Sequence, residues 1–559
     1  MHTLVCVPIT GVVVPAARRL ADDAAAGGAD LIEFRIDGFF SGSGDAGEQA
    51  AEEAGVLRLV RESPRPCIVT CRPAWEGGDY DGDDSARVSL FERLGAADDP
   101  AERPRYLDME LAAYTRSANL RQKVNLAVDH PAQRRDLSTS LVLSTHDFEE
   151  RPADLTRRLL KMADEDACRV MKIAYRARSL RDNLDLFDLL GQARDLGKPA
   201  IALGMGRFGV MSRVLAPKFG AFLTFASLRD EAATAPGQPT LDELLHRYRF
   251  RSIGRETRFY GVIGWPVEHS RGPEFHNAAF DAIGWDGVYL HLPVPGDAEQ
   301  PEASDATFKA TLLSLIHDPR LDFAGASVTL PHKERLLRLA RAEGWEVSEI
   351  AERSGAANTL SVERDAEGEV ARVAIDNTDA AAAASLLEDA IEGGLAGRRV
   401  AVLGSGGVAR GVVAGCLAAG ARVEVFARSE AKAEALVEAF SAGVVEAKRW
   451  EDRPGSDAAA VVNATPIGMD GGTDPSGSPL DPASIEALCE AGAVVMDTVY
   501  TPRETPMLAA AAAVGCATVD GVSMFLRQAL AQSATWTGRT VTDTDLVRIF
   551  GSDAPSAEG

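Results

Sequence analysis

Short apolar runs alternate with amphipathic stretches along the first 245 or so residues. The runs at 4–10, 31–37, 67–72, 106–111, 141–148, 169–175, 200–206 and 222–228 predict strands, and stretches such as 153–167 and 180–196 between them predict helices. Strands that are apolar throughout, rather than at every second residue, belong to a parallel sheet covered on both faces. Eight such units are what a closed (β/α)₈ TIM barrel requires. Polar residues bunched at the strand ends favour that barrel over an open doubly wound sheet. A helical start at Leu241 then gives way to a basic, apolar-poor stretch, and the β/α pattern restarts at Tyr260. The strand 399–403 and the turn Gly404–Gly407 open a further dinucleotide-type fold. The expected class is α/β throughout. The barrel spans 1–247, a linker 248–258, an α/β substrate domain 259–379 and a Rossmann domain 380–520. A helix within 521–545 packs back on the substrate domain, and a disordered tail covers 546–559.

At 559 residues the chain exceeds one core. A net charge of -24 disfavours nucleic acid and anionic membranes as partners, and demands locally clustered Arg or Lys for any anionic substrate. No apolar run reaches the roughly 18 residues a bilayer needs, and no secretory leader is expected. The seven cysteines lack a CxxC pair or a His/Cys cluster, which suits a reducing cytoplasm and argues against a metal. The expectation is a cytoplasmic enzyme for small molecules.

In barrels, catalytic groups gather at the carboxyl ends of the strands. Those ends carry Glu33 and Arg35, Arg72, His146 and Lys172, with Arg213 after the seventh strand and Thr234 and Gln238 after the eighth. Lys172 stands alone in an apolar strand, where desolvation should yield a neutral amine able to attack a ketone. A snorkelling surface lysine is the plain alternative, but His146 on the preceding strand adds the acid/base that a Schiff-base dehydration needs. Five motifs together resemble type I 3-dehydroquinate dehydratases. They are Glu33-Phe34-Arg35-Ile36-Asp37, Arg72-Pro73-Ala74-Trp75-Glu76-Gly77-Gly78, Ser144-Thr145-His146-Asp147-Phe148, Met171-Lys172-Ile173 and Ala235-Pro236-Gly237-Gln238. The resemblance implies that Lys172 forms the imine, that His146 moves the protons, and that Glu76 orients His146. It also implies that Glu33, Arg35 and Arg72 hold ring hydroxyls while Arg213, with Gln238, holds the carboxylate. Thr234 stands where the pattern often has Ser.

In the second half, Gly404-Ser405-Gly406-Gly407-Val408-Ala409 follows a strand and opens a helix, which suits a pyrophosphate. The next strand ends at Arg428-Ser429, with Lys432 one turn on. Basic residues there, in place of Asp or Glu, favour a 2′-phosphate and therefore NADP. This half resembles shikimate dehydrogenases in Gly264-Trp265-Pro266-Val267-Glu268-His269-Ser270, Ser327-Val328-Thr329-Leu330-Pro331-His332-Lys333, Gly355-Ala356-Ala357-Asn358-Thr359 and Asn377-Thr378-Asp379. Asn463-Ala464-Thr465-Pro466-Ile467-Gly468-Met469, Asp497-Thr498-Val499-Tyr500 and Gly521-Val522-Ser523-Met524, leading to Gln528 and Gln532, extend the likeness. The resemblance implies that Lys333 and Asp379 are the acid/base pair and that Ser270, Thr329, Asn358, Tyr500 and Gln528 hold the substrate. Thr465 and Gly521 join the cofactor site. Two departures stand out. Asp376 stands where the family usually has glycine before Asn-Thr-Asp, with alanines at the small positions that follow, and Gly272 replaces a second serine at the carboxylate site.

The whole chain resembles the plant-type bifunctional dehydroquinate dehydratase–shikimate dehydrogenases. The implied chemistry is 3-dehydroquinate to 3-dehydroshikimate, followed by NADPH-dependent reduction to shikimate. Three alternatives remain open at this point. One is a Schiff-base aldolase in the first half, and another is a non-catalytic metabolite sensor. The third is quinate turnover, if Gly272 clears room for the extra hydroxyl on a tetrahedral C1.

Overall fold

The computed structural model describes residues 2–545 apart from 11–12, 42–44, 136, 230–236, 298, 441–443, 454–456 and 543–544. Thr234, the Ala235-Pro236 pair and the expected tail 546–559 lie outside the described residues. The chain divides into two compact units, Met1–Thr257 and Arg258–Gly559.

Unit one is an eight-stranded parallel barrel. Its strands are β1 (Leu4–Ile9), β2 (Leu31–Arg35), β3 (Cys67–Thr70), β4 (Tyr106–Glu110), β5 (Ser140–Asp147), β6 (Cys168–Arg176), β7 (Ala200–Met205) and β8 (Leu223–Phe225). They pair in sequence order, β8 pairs with β1, and the Phe222 amide donates to the Ala200 carbonyl at 2.8 Å between β7 and β8. Leu31, Ile68, Tyr106, Val142 and Val170 fill an interior apolar layer. Alternation in a strand puts the residue two positions on into the same interior. Those residues are Glu33, Thr70, Asp108, Ser144 and Lys172, a polar layer stacked on the apolar one. The expected final helix is reduced to a turn of π-helix at Glu243–Arg247 and a 3₁₀ turn at Phe250–Ser252.

Unit two carries two sheets. The first is mixed and comprises β9 (Arg258–Gly264), β10 (Gly287–Pro293), β11 (Phe323–Val328), β12 (Glu346–Val347), β13 (Thr359–Arg364) and β14 (Val370–Asp376), in the order β10-β9-β11-β13-β14-β12. The second is parallel and comprises β15 (Arg399–Leu403), β16 (Arg422–Ala427), β17 (Val445–Arg449), β18 (Ala460–Asn463), β19 (Val494–Asp497) and β20 (Ala517–Val519), in the order β17-β16-β15-β18-β19-β20. Val400 and Val402 enter the core on one face of β15, and Ala401 and Leu403 enter the core on the other. That double burial is why the strand reads as unbroken apolar sequence. The helix Gly521–Thr537 returns to the mixed sheet, where Trp536 Nε1 donates to the Leu360 carbonyl at 2.9 Å.

The alanines after Asp379 have a packing explanation. The helix Thr378–Ala390 lies against the helix Gly407–Ala418, and a Cβ on Gly415 would sit 2.0 Å from the Ala380 carbonyl oxygen. The close approach of the two helix backbones therefore requires glycine at 415.

Candidate active sites

At the carboxyl end of the barrel, Glu33, Arg35, Arg72, Glu76, His146, Lys172, Arg213 and Gln238 line one cavity, with Phe148 and Phe225. Lys172 is buried but is not the isolated amine expected from its apolar strand. Its Nζ lies 3.0 Å from Asp108 Oδ2 and 3.5 Å from Glu33 Oε1. The reason is register: β2 and β4 project carboxylates into the layer that holds Lys172. Burial works to raise the Asp108 pKa, but Arg72 and Lys172 outweigh it and hold the group ionised, well below the usual carboxylate range.

His146 Nδ1 is 3.0 Å from Glu76 Oε2. Burial pushes Glu76 up to about 8, against the pull of Arg72. Burial, reinforced by Arg72 and Lys172, holds His146 well below its ordinary value. The imidazole is thus neutral at rest, and Glu76 changes charge just above neutrality.

The three arginines differ. Arg35 makes a fork with Asp37, through Nε to Oδ1 at 2.9 Å and Nη2 to Oδ2 at 2.8 Å. Arg72 spends Nη1 on Glu110 Oε1 and Ser144 Oγ, and Nη2 on Asp108 Oδ1. Arg213 is 2% exposed, donates Nε to the Gly204 carbonyl at 3.1 Å, and has no carboxylate partner among the described residues. Burial alone lowers it to about 10.

In unit two, a cavity of about 130 Å³ is lined by Ser270, Thr329, Lys333, Asn358, Asp379, Tyr500, Gly521 and Gln528. Lys333 Nζ lies 2.5 Å from Asp379 Oδ2, both side chains nearly buried. Asn358 is held rigidly, its Oδ1 accepting from the Thr378 amide at 2.9 Å and the Thr359 hydroxyl at 2.8 Å. Gly272 does not leave the open space expected from a lost side chain. A Cβ there would meet Tyr289 Cε1 at 3.0 Å and the Tyr289 hydroxyl at 3.3 Å, because the Tyr289 ring already occupies that ground. The room that an extra quinate hydroxyl would need at Gly272 is filled by Tyr289.

The carboxyl edge of the parallel sheet is shaped for a dinucleotide. Gly404 has φ +120°, and a Cβ on it would lie 2.7 Å from the Ala464 carbonyl, so the turn requires glycine. Gly406 has open space where a Cβ would be, directly before the helix that starts at Gly407. Ser405, Val408 and Ala409 complete that turn and first helical residues, and Val408 also reaches the substrate cavity. Arg428, Ser429 and Lys432 follow β16 and are exposed. Neither cation of that set has an ion-pair partner among the described residues. Thr465 follows β18, its amide and hydroxyl fixed by Asn463 Oδ1. These residues fit an NADP-type cofactor.

Several residues in or beside the sites received no role in the sequence reading. Asp108 and Ser144 sit in the polar barrel layer, Glu110 is buried two residues further along β4, and Tyr289, Ser327 and His276 line the second cavity. The signal for the two carboxylates was available: Asp108 and Glu110 are charges at a spacing of two in an otherwise apolar strand, and therefore share one face.

Comparison with known proteins follows this geometry. Residues 5–255 match the type I 3-dehydroquinase family and residues 262–360 match the shikimate dehydrogenase substrate binding domain. The chain is similar to the chloroplastic bifunctional 3-dehydroquinate dehydratase/shikimate dehydrogenase of Arabidopsis thaliana, with 32% identity over 528 residues, 91% of this chain and 78% of that protein. It is 38% identical to the shikimate dehydrogenase (NADP(+)) of Gluconobacter oxydans over 51% of this chain and 92% of the relative. Among solved structures, a dehydroquinate dehydratase and shikimate dehydrogenase from S. pombe is similar over 96% of each chain, at 23% identity and a TM-score of 0.40. The sensor, aldolase and quinate alternatives are not favoured by these relatives.

Proposed function

The chain belongs to the bifunctional 3-dehydroquinate dehydratase/shikimate dehydrogenase family, and from that premise we propose how its own residues divide the two reactions. The barrel dehydrates 3-dehydroquinate to 3-dehydroshikimate, and the second unit reduces that product to shikimate with NADPH. The observation that carries the assignment is the convergence of Lys172, the His146–Glu76 pair and the open Arg213 on one cavity.

Arg213 takes the substrate carboxylate through its free Nη donors, and Gln238 assists. Lys172 gives its proton to solvent or to the tetrahedral adduct and attacks the ketone, and loss of water leaves the protonated imine. Asp108 stays ionised beside that nitrogen as its counter-ion. With Glu76 ionised, His146 donates Nδ1–H to it and Nε2 is free to remove the α-proton. The same nitrogen then protonates the departing hydroxyl, and hydrolysis frees Lys172. Glu33 and the Arg35–Asp37 fork border the ring hydroxyls. We include Thr234 in this set on its motif alone.

In the second unit, Ser270, Thr329, Asn358, Tyr500 and Gln528 bind and orient the ring. Lys333, charge-balanced by Asp379, delivers the proton to the developing alkoxide. When bound, the reduced nicotinamide supplies the hydride. Gly404, Ser405, Gly406, Gly407, Val408 and Ala409 would hold its pyrophosphate, Arg428, Ser429 and Lys432 its 2′-phosphate, and Thr465 and Gly521 would border the nicotinamide. No helix among the described residues is long and apolar enough to cross a membrane. Seven free thiols support placement in a reducing compartment such as the cytoplasm.

The test is the purified chain with 3-dehydroquinate and NADPH, followed by product identification. Borohydride added during turnover should label Lys172, and Lys172→Ala should lose labelling and dehydration while still oxidising shikimate. Labelling of a different lysine would overturn the assignment.

A further inference from the structure

The barrel holds an ion pair that the reaction does not touch. Arg87, on the helix Asp84–Gly95, is the bulkiest of the fully buried side chains, and a guanidinium taken out of water demands a partner. Glu110, also fully buried, provides it, with Oε2 accepting from Arg87 Nη1 at 2.6 Å. Its other oxygen accepts from Arg72 Nη1 at 2.7 Å. Arg72 Nη2 donates to Asp108 Oδ1 at 2.7 Å, and Asp108 Oδ2 accepts from Lys172 Nζ at 3.0 Å. The charges alternate in an unbroken line from Arg87 to the imine-forming lysine. The outer end is fixed as well, because Arg87 donates to the Cys71 carbonyl at 2.9 Å and twice to Asp84 Oδ1.

A buried ion pair adds little stability over well-packed apolar groups, so burial alone does not account for this one. Its consequence lies at Arg72. Arg72 Nη1 is also 3.5 Å from Glu76 Oε2, the oxygen that holds His146. Glu110 and Glu76 therefore compete for one guanidinium. We propose that Glu110, held in place by Arg87, is a positioning residue that keeps Arg72 on Asp108 and off Glu76. It thereby preserves both the counter-ion of Lys172 and the orientation of His146. The inference rests on Lys172 as the imine-forming residue.

The experiment compares Arg87→Met, Glu110→Gln and the double variant in the full chain. Neither residue lines the cavity, so the expected loss is in dehydratase kcat, on the order of 100-fold for displaced catalytic groups, with KM for 3-dehydroquinate little changed. Shikimate oxidation by the same preparations should be unaffected. Arg87→Lys should recover part of the kcat.

The pH at which borohydride trapping sets in separates positioning from general damage. Asp108 and Glu33 contact Lys172, and Arg35, Arg72, Glu76, His146 and Arg213 border the same cavity; neither substitution alters any of them. Arg87→Met leaves the Glu110 charge uncompensated and should move the onset to higher pH. Glu110→Gln removes an anion and should move it lower. Should Arg87→Met fail to fold, the double variant removes both charges and should keep its KM with a low kcat. Parental kcat in the double variant, shifts of the same sign in both single variants, or a loss confined to KM would each overturn the proposal. The Lys172 reading fails separately, if the parent enzyme itself is labelled elsewhere.

Discussion

Replacing Arg213 with Met should make the empty barrel more stable while crippling its chemistry. Arg213 is buried, carries its charge without a carboxylate partner among the described residues, and is lowered to about 10, more than two pH units below an ordinary guanidinium, by burial alone. At about 1.4 kcal/mol per pH unit, that fall corresponds to about 3 kcal/mol by which the folded state disfavours the charged group. Removal also forfeits the bond to the Gly204 carbonyl, worth about 1 kcal/mol, so the net gain is about 2 kcal/mol. The penalty on a base with a lowered folded pKa is fully present below that pKa. The gain should therefore be constant between pH 5 and 9, well below the folded value of about 10. With substrate present, two charge-assisted bonds to the carboxylate disappear, roughly 3–6 kcal/mol in all, or about 10²- to 10⁴-fold in kcat/KM. Urea unfolding of the ligand-free protein and steady-state dehydration of 3-dehydroquinate measure the two effects. A variant that unfolds earlier than the parent, or keeps kcat/KM within about tenfold, would refute the reasoning.

Two further outcomes concern the second unit. Arg428→Ala should raise KM for NADP by about 10- to 100-fold, the loss of one charge-assisted bond of roughly 1.5–3 kcal/mol, and leave NAD use unchanged; equal effects on both cofactors would exclude a 2′-phosphate contact. Asp497 is buried without a cation, and burial raises it to about 6 despite bonds from the Val499 amide, Thr505 and Asn463. Because the folded pKa is raised, its contribution is complete below pH 4 and lost as pH climbs through 6, about 3 kcal/mol in total. Asp497→Asn should lack that loss, read as the difference between parent and variant in pH-dependent urea melts of the dehydrogenase transition.

The eight barrel strands were legible because parallel strands buried on both faces leave uninterrupted apolar runs, and β15 was legible for the same reason. His146 was legible because it stands near the end of its strand, and Lys172 and Glu76 because they lie in recognisable motifs. What surrounds Lys172 was not. An aspartate inside an apolar run has the same local pattern whatever charge lies across the sheet, and the Asp108–Lys172 pairing depends on how β4, β5 and β6 line up in register. Arg87 on its helix resembled any solvated charge, since only tertiary packing buries it. Tyr289 read as an ordinary strand residue and Ser327 had no role of its own within its motif, although the Tyr289 hydroxyl donates to Ser327 Oγ at 2.6 Å in the wall of the cavity. Gly272 misled for a related reason, because a missing side chain signals vacancy only when no neighbour has moved into its place.

The close approach of Gly415 to Ala380 has a bearing on how the dehydrogenase cleft works. Ala382, Ala383 and Leu387 share one core with Val400 and Val402, so the helix bearing Asp379 belongs mechanically to the nucleotide lobe. Lys333 begins the helix Lys333–Glu343, which follows β11 of the other sheet. The Asp379 end of that helix is nonetheless tied to the mixed sheet, where the Thr378 amide donates to Asn358 Oδ1 and Asn377 Nδ2 donates to the Ala356 carbonyl at 3.0 Å. One helix therefore joins both lobes: its first turn holds Asp379 against Lys333, and its later turns pack into the core of the nucleotide sheet.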